Sequence, residues 1–311
     1  MSKKDYRVRN WAQYNKSMIN RGRVTFWIND ANDTWYHDNQ GSKKRGRPFK
    51  YSDEAIIIVL TLKQVYHLTL RAAQGFAESL FEMMKWDLQV PSYSIISRRQ
   101  KHLKLPTLPR RSQSIHMVVD STGLKIFGEG EWKVRRFGYD KRRTWRKLHI
   151  GVDVESKLLV SSVLTENNCG DDKILPELLR LYCGKLHQVS ADGGYDSHDS
   201  FNLISDYGAV PCIPTQPNPT HKRKTREQII GPRDKVVWEI QEKGREAWKE
   251  ESQYHKRSLA ENAFYRYKKI FGDKLSSRKL ENQKIEAVLR CHILNKMTLL
   301  GMPVSEIIQS L

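Results

Sequence analysis

The sequence predicts an α/β architecture: a mixed sheet flanked by helices, with a mainly helical region ahead of it. Three observations carry that expectation. Residues 52–103 read as helices with capping signals. A stretch from Lys104 to Ser114, with Pro106, Pro109 and polar neighbours, reads as a boundary. Beyond it, short apolar runs of strand length alternate with helical stretches. The expected division is therefore 1–110 and 111–311.

Residues 1–50 mix aromatics (Trp11, Tyr14, Trp27, Trp35, Tyr36) with cations, and end in a basic linker near 43–50. Its Arg45-Gly46-Arg47-Pro48 core has two readings, a solvated linker or an extended piece laying Arg45 and Arg47 into a narrow DNA minor groove. Ser52-Asp53-Glu54 supplies an N-cap and early acids for a helix over AIIIVLTLKQVYHL. A second helix is expected over about Thr69–Trp86. A third follows in VPSYSIISRRQKHL, with a Ser cap and a basic tail. Three helices with a basic last member fit a helix-turn-helix reader of DNA or a plain bundle, and periodicity does not separate the two.

The second region opens with IHMVVD, an apolar run expected to end as a strand at Asp120, where Ser-Thr-Gly follows. The most basic passage lies between Lys133 and Lys147, with Lys133, Arg135, Arg136, Lys141, Arg142, Arg143, Arg146 and Lys147. Trp132, Phe137, Tyr139 and Trp145 are interleaved. Cations that neutralise phosphates beside aromatics that stack on bases make a DNA track, with a solvated hairpin as the alternative.

KLHIGVDVESKLLVSSVLT reads as two strands around an Asp/Glu/Ser turn, and Asp171-Asp172 as caps of the helix that follows. HQVSAD is a further strand, ending at Asp192 before Gly193-Gly194. A helix and the strand AVPCIP come next. Thr215–Arg233, rich in Pro and cations, reads as a loop. Asp234–Glu251 reads as a helix whose Trp238 and Trp248 are core or helix-packing residues, with base stacking as the rarer use. Lys284–Leu300 closes the chain as an apolar helix.

Tyr254–Lys268, without Gly or Pro, is expected to be helical. At about 100° per residue, Tyr254, Arg257, Glu261 and Lys268 share one arc roughly 60° wide. Taken alone this is a solvated face, and Asp120 and Asp192 are turn formers. Together, two carboxylates at strand ends and one on a late helix form the hard-oxygen set that holds Mg²⁺ or Mn²⁺.

Tyr254-x2-Arg257-x3-Glu261-x6-Lys268 resembles the third signature of DDE transposases of bacterial insertion sequences. VVDSTGLKIFGEGEW and ADGGYDS resemble the first and second. The pieces WAQYNKSMINRGRVTFWI, GRPFKYSDEAI and PSYSIISRRQKHL resemble the insertion-sequence-five family, so the likeness spans nearly the whole chain. It implies a ribonuclease-H-like catalytic domain. Asp120, Asp192 and Glu261 would be catalytic residues and ligands of two Mg²⁺ or Mn²⁺ ions. Tyr254, Arg257 and Lys268 would sit on double-stranded DNA at transposon ends and target, in a homodimeric synaptic complex.

The formal charge of +19 attracts nucleic acid, and would equally attract a membrane surface. The longest apolar run, Ala55–Leu62, is too short to span a bilayer, and the charged start lacks the apolar core of a signal peptide. Four scattered cysteines without a CxxC pair read as reduced thiols. The expectation is a cytoplasmic bacterial protein with no membrane partner. Two rivals are open: a nuclease of the same fold that cuts without joining, and a DNA-binding protein without catalysis.

Overall fold

The computed structural model describes residues 6–28, 34–37, 48–105, 113–126, 145–215 and 231–307. Arg45, Arg47, Arg135, Arg136, Arg142 and Arg143 lie outside them, as does most of the loop expected at Thr215–Arg233. The chain forms two compact units, one of Met1–Leu105 with His292–Leu311 and one of Pro106–Cys291. The residues beyond 291, expected from the sequence with the second region, thus group with the first. No single helix among the described residues is long and apolar enough to cross a membrane.

In the first unit, β1 (Tyr6–Val8) pairs antiparallel with β8 (Ser305–Ile307). Between them in sequence come α1 (Trp11–Arg21), α2 (Val24–Ile28), α3 (Asp53–Val65), α4 (Leu70–Met83) and α5 (Tyr93–Arg99). Ser52, the cap the sequence names for α3, accepts at Oγ from Ala55 N at 3.0 Å; Thr69 Oγ1 caps α4, accepting from Ala72 N at 3.2 Å, and Ser92 stands at the start of α5 without a side-chain cap bond. α3 buries Ala55, Ile56, Val59, Leu60 and Leu62, while α4 presents Ala73, Ala77 and Phe81 at fourfold spacing. Trp35 meets Phe81 edge-on at 4.9 Å and donates its indole N–H to Gln89 O at 2.8 Å. In the basic tail of α5, Arg98 is exposed but Arg99 is buried, bonded to Tyr51 O at 2.7 Å and paired with Asp53. One of the cations offered for DNA therefore braces the helix.

The second unit is built on β2 (Ile115–Ile126), β3 (Trp145–Asp153), β4 (Leu159–Glu166), β5 (Leu186–Ser190), β6 (Val210–Cys212) and β7 (Lys274–Leu275). The order is β4-β3-β2-β5-β6, with β7 also on β2. β2, β3 and β4 run antiparallel; β5, β6 and β7 join parallel. This mixed order is that of the ribonuclease-H-like fold. Its helices are α6 (Asp171–Leu181), α7 (His198–Asp206), α8 (Pro232–Lys243), α9 (Arg245–Glu251), α10 (Ser258–Phe271) and α11 (Leu280–Leu300), whose last turns belong to the first unit.

Strand alternation divides the two layers. Ile115, Met117 and Val119 join Leu175, Leu178, Phe201, Ile204 and Trp248 in one core. The opposite face of β2 carries Asp120 and Thr122 toward α10.

Three sequence expectations are corrected. β2 does not end at Asp120. The β3 ladder continues from Asp120↔Ile150 to Lys125↔Trp145, and pairing holds Ser-Thr-Gly extended where composition suggested a turn. The helix expected over Asp234–Glu251 is broken at Gly244, whose φ of 85° suits glycine. Finally, Asp171 and Asp172 lie inside the first turn of α6, and Gly170 is the cap.

Candidate active site

The parallel register of β2 and β5 brings the first two carboxylates together. Val118 lies opposite Ser190, so Asp120 and Asp192 each follow two residues beyond the same rung. β5 pairing stops there, and β7 pairing resumes only at Lys125. Asp120 sits in the gap, beyond the carboxyl end of β5, where open α/β sheets take ligands. Its Oδ1 accepts from Ser121 N at 2.8 Å. Asp192 turns the chain away: its Oδ1 accepts from Gly194 N at 2.9 Å and caps the short turn Gly193–Tyr195. A Cβ at position 194 would lie 3.0 Å from that carboxylate oxygen, so glycine keeps the approach open.

Glu261 comes from α10 and is exposed. Arg257 joins it to the strand: Nη2 donates to Glu261 Oε1 at 2.7 Å, and Nη1 to Asp120 Oδ2 at 3.4 Å. Further along α10, Lys268 Nζ donates to Thr122 Oγ1 at 2.7 Å, two residues past Asp120 on the same face. The single helical arc read from the sequence is modified, because Tyr254–Arg257 forms a 3₁₀ turn before α10 starts at Ser258. Tyr254 packs on the core, its ring 5.9 Å from Trp248 and 6.0 Å from the Arg257 guanidinium.

Burial pushes the Asp120 carboxyl above its ordinary range. The Ser121 N–H and Arg257 oppose the shift, while the charges of Asp192 and Glu261 add to it. Such a site favours a cation or a proton. Three carboxylates are the hard-oxygen donor set of Mg²⁺ or Mn²⁺. Among the described residues, no three such groups are gathered closely enough to hold a metal, and the Arg257 guanidinium bridges two of them. The donor chemistry fits a divalent cation, and the present spacing is that of a guanidinium-bridged pair.

Arg146 and Lys147 point to opposite faces of β3. Arg146 Nε donates to Gln283 Oε1 at 3.1 Å, whereas Lys147 pairs with Asp171 at 2.9 Å. His149 is fully buried and shares a 2.9 Å bond with Thr165. Sequence reading passed over Thr122 and Gln283, polar residues whose partners are remote in sequence. It also passed over Tyr195, buried three residues after Asp192. Burial, and then the charges of Asp171, Asp120 and Asp192, raise the Tyr195 phenol.

A sheet of this order, with two carboxylates beyond the end of a parallel strand and a third on a facing helix, belongs to the class of ribonuclease-H-like phosphoryl-transfer domains. Two sequence-family models described as "Transposase DDE domain" match residues 19–129 and 111–296. The second covers more than half of the chain, which therefore belongs to the DDE transposase family, enzymes of metal-dependent phosphoryl transfer on DNA.

Among solved structures, a piggyBac transposase synaptic complex with hairpin DNA is similar over 96% of this chain and 78% of that chain. Identity there is 10% and the TM-score 0.35. A Drosophila P element transposase strand transfer complex is similar over 65% of this chain and 43% of that chain, at 13% identity and a TM-score of 0.26. Scores that low fix no part of the fold.

Proposed function

We propose that this transposase binds the terminal inverted repeats of an insertion sequence of the insertion-sequence-five type, frees a 3′-hydroxyl at each end and joins it to target DNA. The observation that carries this is the pairing register that sets Asp120 beside Asp192, with Arg257 tying Asp120 to Glu261. Asp120 would be the shared ligand of two ions, with Asp192 and Glu261 each completing one shell. When bound, such ions lower the pKa of the attacking water or 3′-hydroxyl and neutralise the leaving oxygen of an in-line displacement.

The chain's own groups do the positioning. Arg257, which reaches both Asp120 and Glu261, is placed to hold a non-bridging phosphate oxygen. Lys268 serves the adjacent phosphate from its post at Thr122. Tyr254, packed on Trp248, fixes the turn from which Arg257 reaches out. The further cations this reading assigns to DNA phosphates are Arg45, Arg47, Arg135, Arg136, Arg142, Arg143 and Arg146; Lys147, on the other face of β3 and paired with Asp171, is not among them. Two ends held at once call for a homodimer on DNA. The bacterial cytoplasm is the compartment where such DNA is met.

The test is cleavage of a labelled duplex carrying the DNA that flanks the reading frame, with Mg²⁺ or Mn²⁺, by wild type and Asp120→Ala. A cut at the element boundary, lost in the variant, together with strand-joined product is the expected result. Cutting without joining would make the protein a nuclease. Binding without cutting in either metal would make it a DNA-binding protein.

A further inference from the structure

α11 sends three buried polar side chains, Gln283, Glu286 and Arg290, into the segment that precedes it. Glu286 Oε1 accepts from Ser276 N and Ser276 Oγ, both at 2.9 Å, and Oε2 from Ser277 N at 2.8 Å. Arg290 donates to Glu286 at 2.7 Å and to Lys274 O at 2.9 Å. Gln283 donates to Ser277 O at 3.0 Å and to Arg278 O at 3.2 Å, and accepts from Arg146. The backbone is thereby pinned at Lys274, Ser276, Ser277 and Arg278, and Leu275 is held by its pairing with β2. A buried ion pair is a poor source of net stability, since apolar packing of equal volume does as well. What it supplies here is one fixed shape for an irregular surface segment.

That segment presents cations. Lys274, Arg278 and Lys279 are exposed. Lys274 also lies directly opposite Lys125 in the β2–β7 pair, a like-charge juxtaposition relieved on one side by Asp273, 2.7 Å from Lys125. The place is set by β2. Lys125 is five residues beyond Asp120 on the same strand, a span of about 17 Å at ~3.4 Å per residue. One DNA strand covers that span in about five steps of ~3.4 Å.

We propose that Lys274–Lys279, which starts beside Lys125 past Asp120 on β2, is a rigid phosphate clamp that grips the duplex backbone away from the reacting phosphodiester, through Arg278 and Lys279. This rests on the DNA reading of the Asp120 site and adds to it a second, non-catalytic contact. The clamp reads no sequence; it sets the axis along which the duplex leaves the carboxylates.

The test is anisotropy of the full chain on a duplex of arbitrary sequence, across a salt series in EDTA. Two contacts removed in Arg278→Ala/Lys279→Ala are expected to flatten the slope of log affinity against log salt by about 1.8, a loss of about sixtyfold at 0.1 M salt relative to 1 M. Arg180→Ala/Lys185→Ala removes the same charge near the opposite end of the sheet and is expected to stay within about twofold of wild type. An unchanged slope in the first variant, or equal losses in both, would overturn the clamp. If wild type binds duplex and cuts it with Mg²⁺ while the first variant keeps its full slope, the clamp falls and the functional reading stands. A wild type that neither binds nor cuts duplex removes both.

Discussion

At the scale of single residues, Asp120 is held where its charge is disfavoured. Burial and two neighbouring carboxylates work against ionisation, and Arg257 and one N–H work for it. Asp120→Asn replaces that carboxylate with a neutral shape, so the metal-free variant is expected to melt no lower than wild type. Mn²⁺ should stabilise the wild type, by about 2.7 kcal/mol at a hundredfold excess over its dissociation constant, and so raise its midpoint, while leaving Asp120→Asn unmoved. Thermal scans with and without Mn²⁺ read this directly, and an equal rise in both proteins would remove Asp120 from the ligand set. The residues of this site were legible in the sequence chiefly through the family resemblance, because taken alone Asp120 and Asp192 read as turn formers and Tyr254–Lys268 as a solvated face. Thr122 and Gln283 were not, since their roles exist only through partners 146 and 137 residues away.

Among elements, α11 behaves unlike the apolar helix its sequence suggested. Leu289, Ile293, Leu294 and Met297 are buried as expected, yet Glu286 is also wholly buried, with Arg290 as its partner. Glu286→Ala would strand Arg290 and two backbone N–H groups, and is expected to cost about 3–5 kcal/mol of stability in denaturant unfolding. A loss under 1 kcal/mol would mean that water replaces the carboxylate. The order of strands and helices in the second unit was readable from apolar runs and caps. The extent of β2 was not. Ser-Thr-Gly has turn composition, and only the β3 ladder, formed with residues 24 to 28 positions away, overrides it. In the same way, Gly244 splits a stretch whose helical composition runs through it unbroken.

For the whole molecule, the large positive charge favours a polyanion, while the pH response rests on buried neutral groups. His116 and His149 are buried, and each is lowered to about 4, chiefly by burial. Lys256 and His187 reinforce the shift at His116. At His149 Asp171 opposes it and Lys147 reinforces it. A histidine depressed on folding contributes fully above its unfolded pKa near 6.5 and loses that contribution as pH falls toward 4. Each therefore withdraws about 3 kcal/mol across that window. Urea midpoints between pH 7 and 4.5 should fall steeply, and His116→Asn should flatten the fall. A midpoint flat over that range would show the two rings protonated without cost.

The pairing of β1 with β8 joins Tyr6–Val8 to Ser305–Ile307. During synthesis β1 emerges well before β8 and has no β8 to pair with until that strand follows. At roughly 5–20 residues per second that interval is about 15–60 s. The second unit, contained within residues 106–291, has all its strands sooner. Assembly thus runs against chain order: the catalytic sheet can close first, and the unit joined by β1 and β8 closes after it.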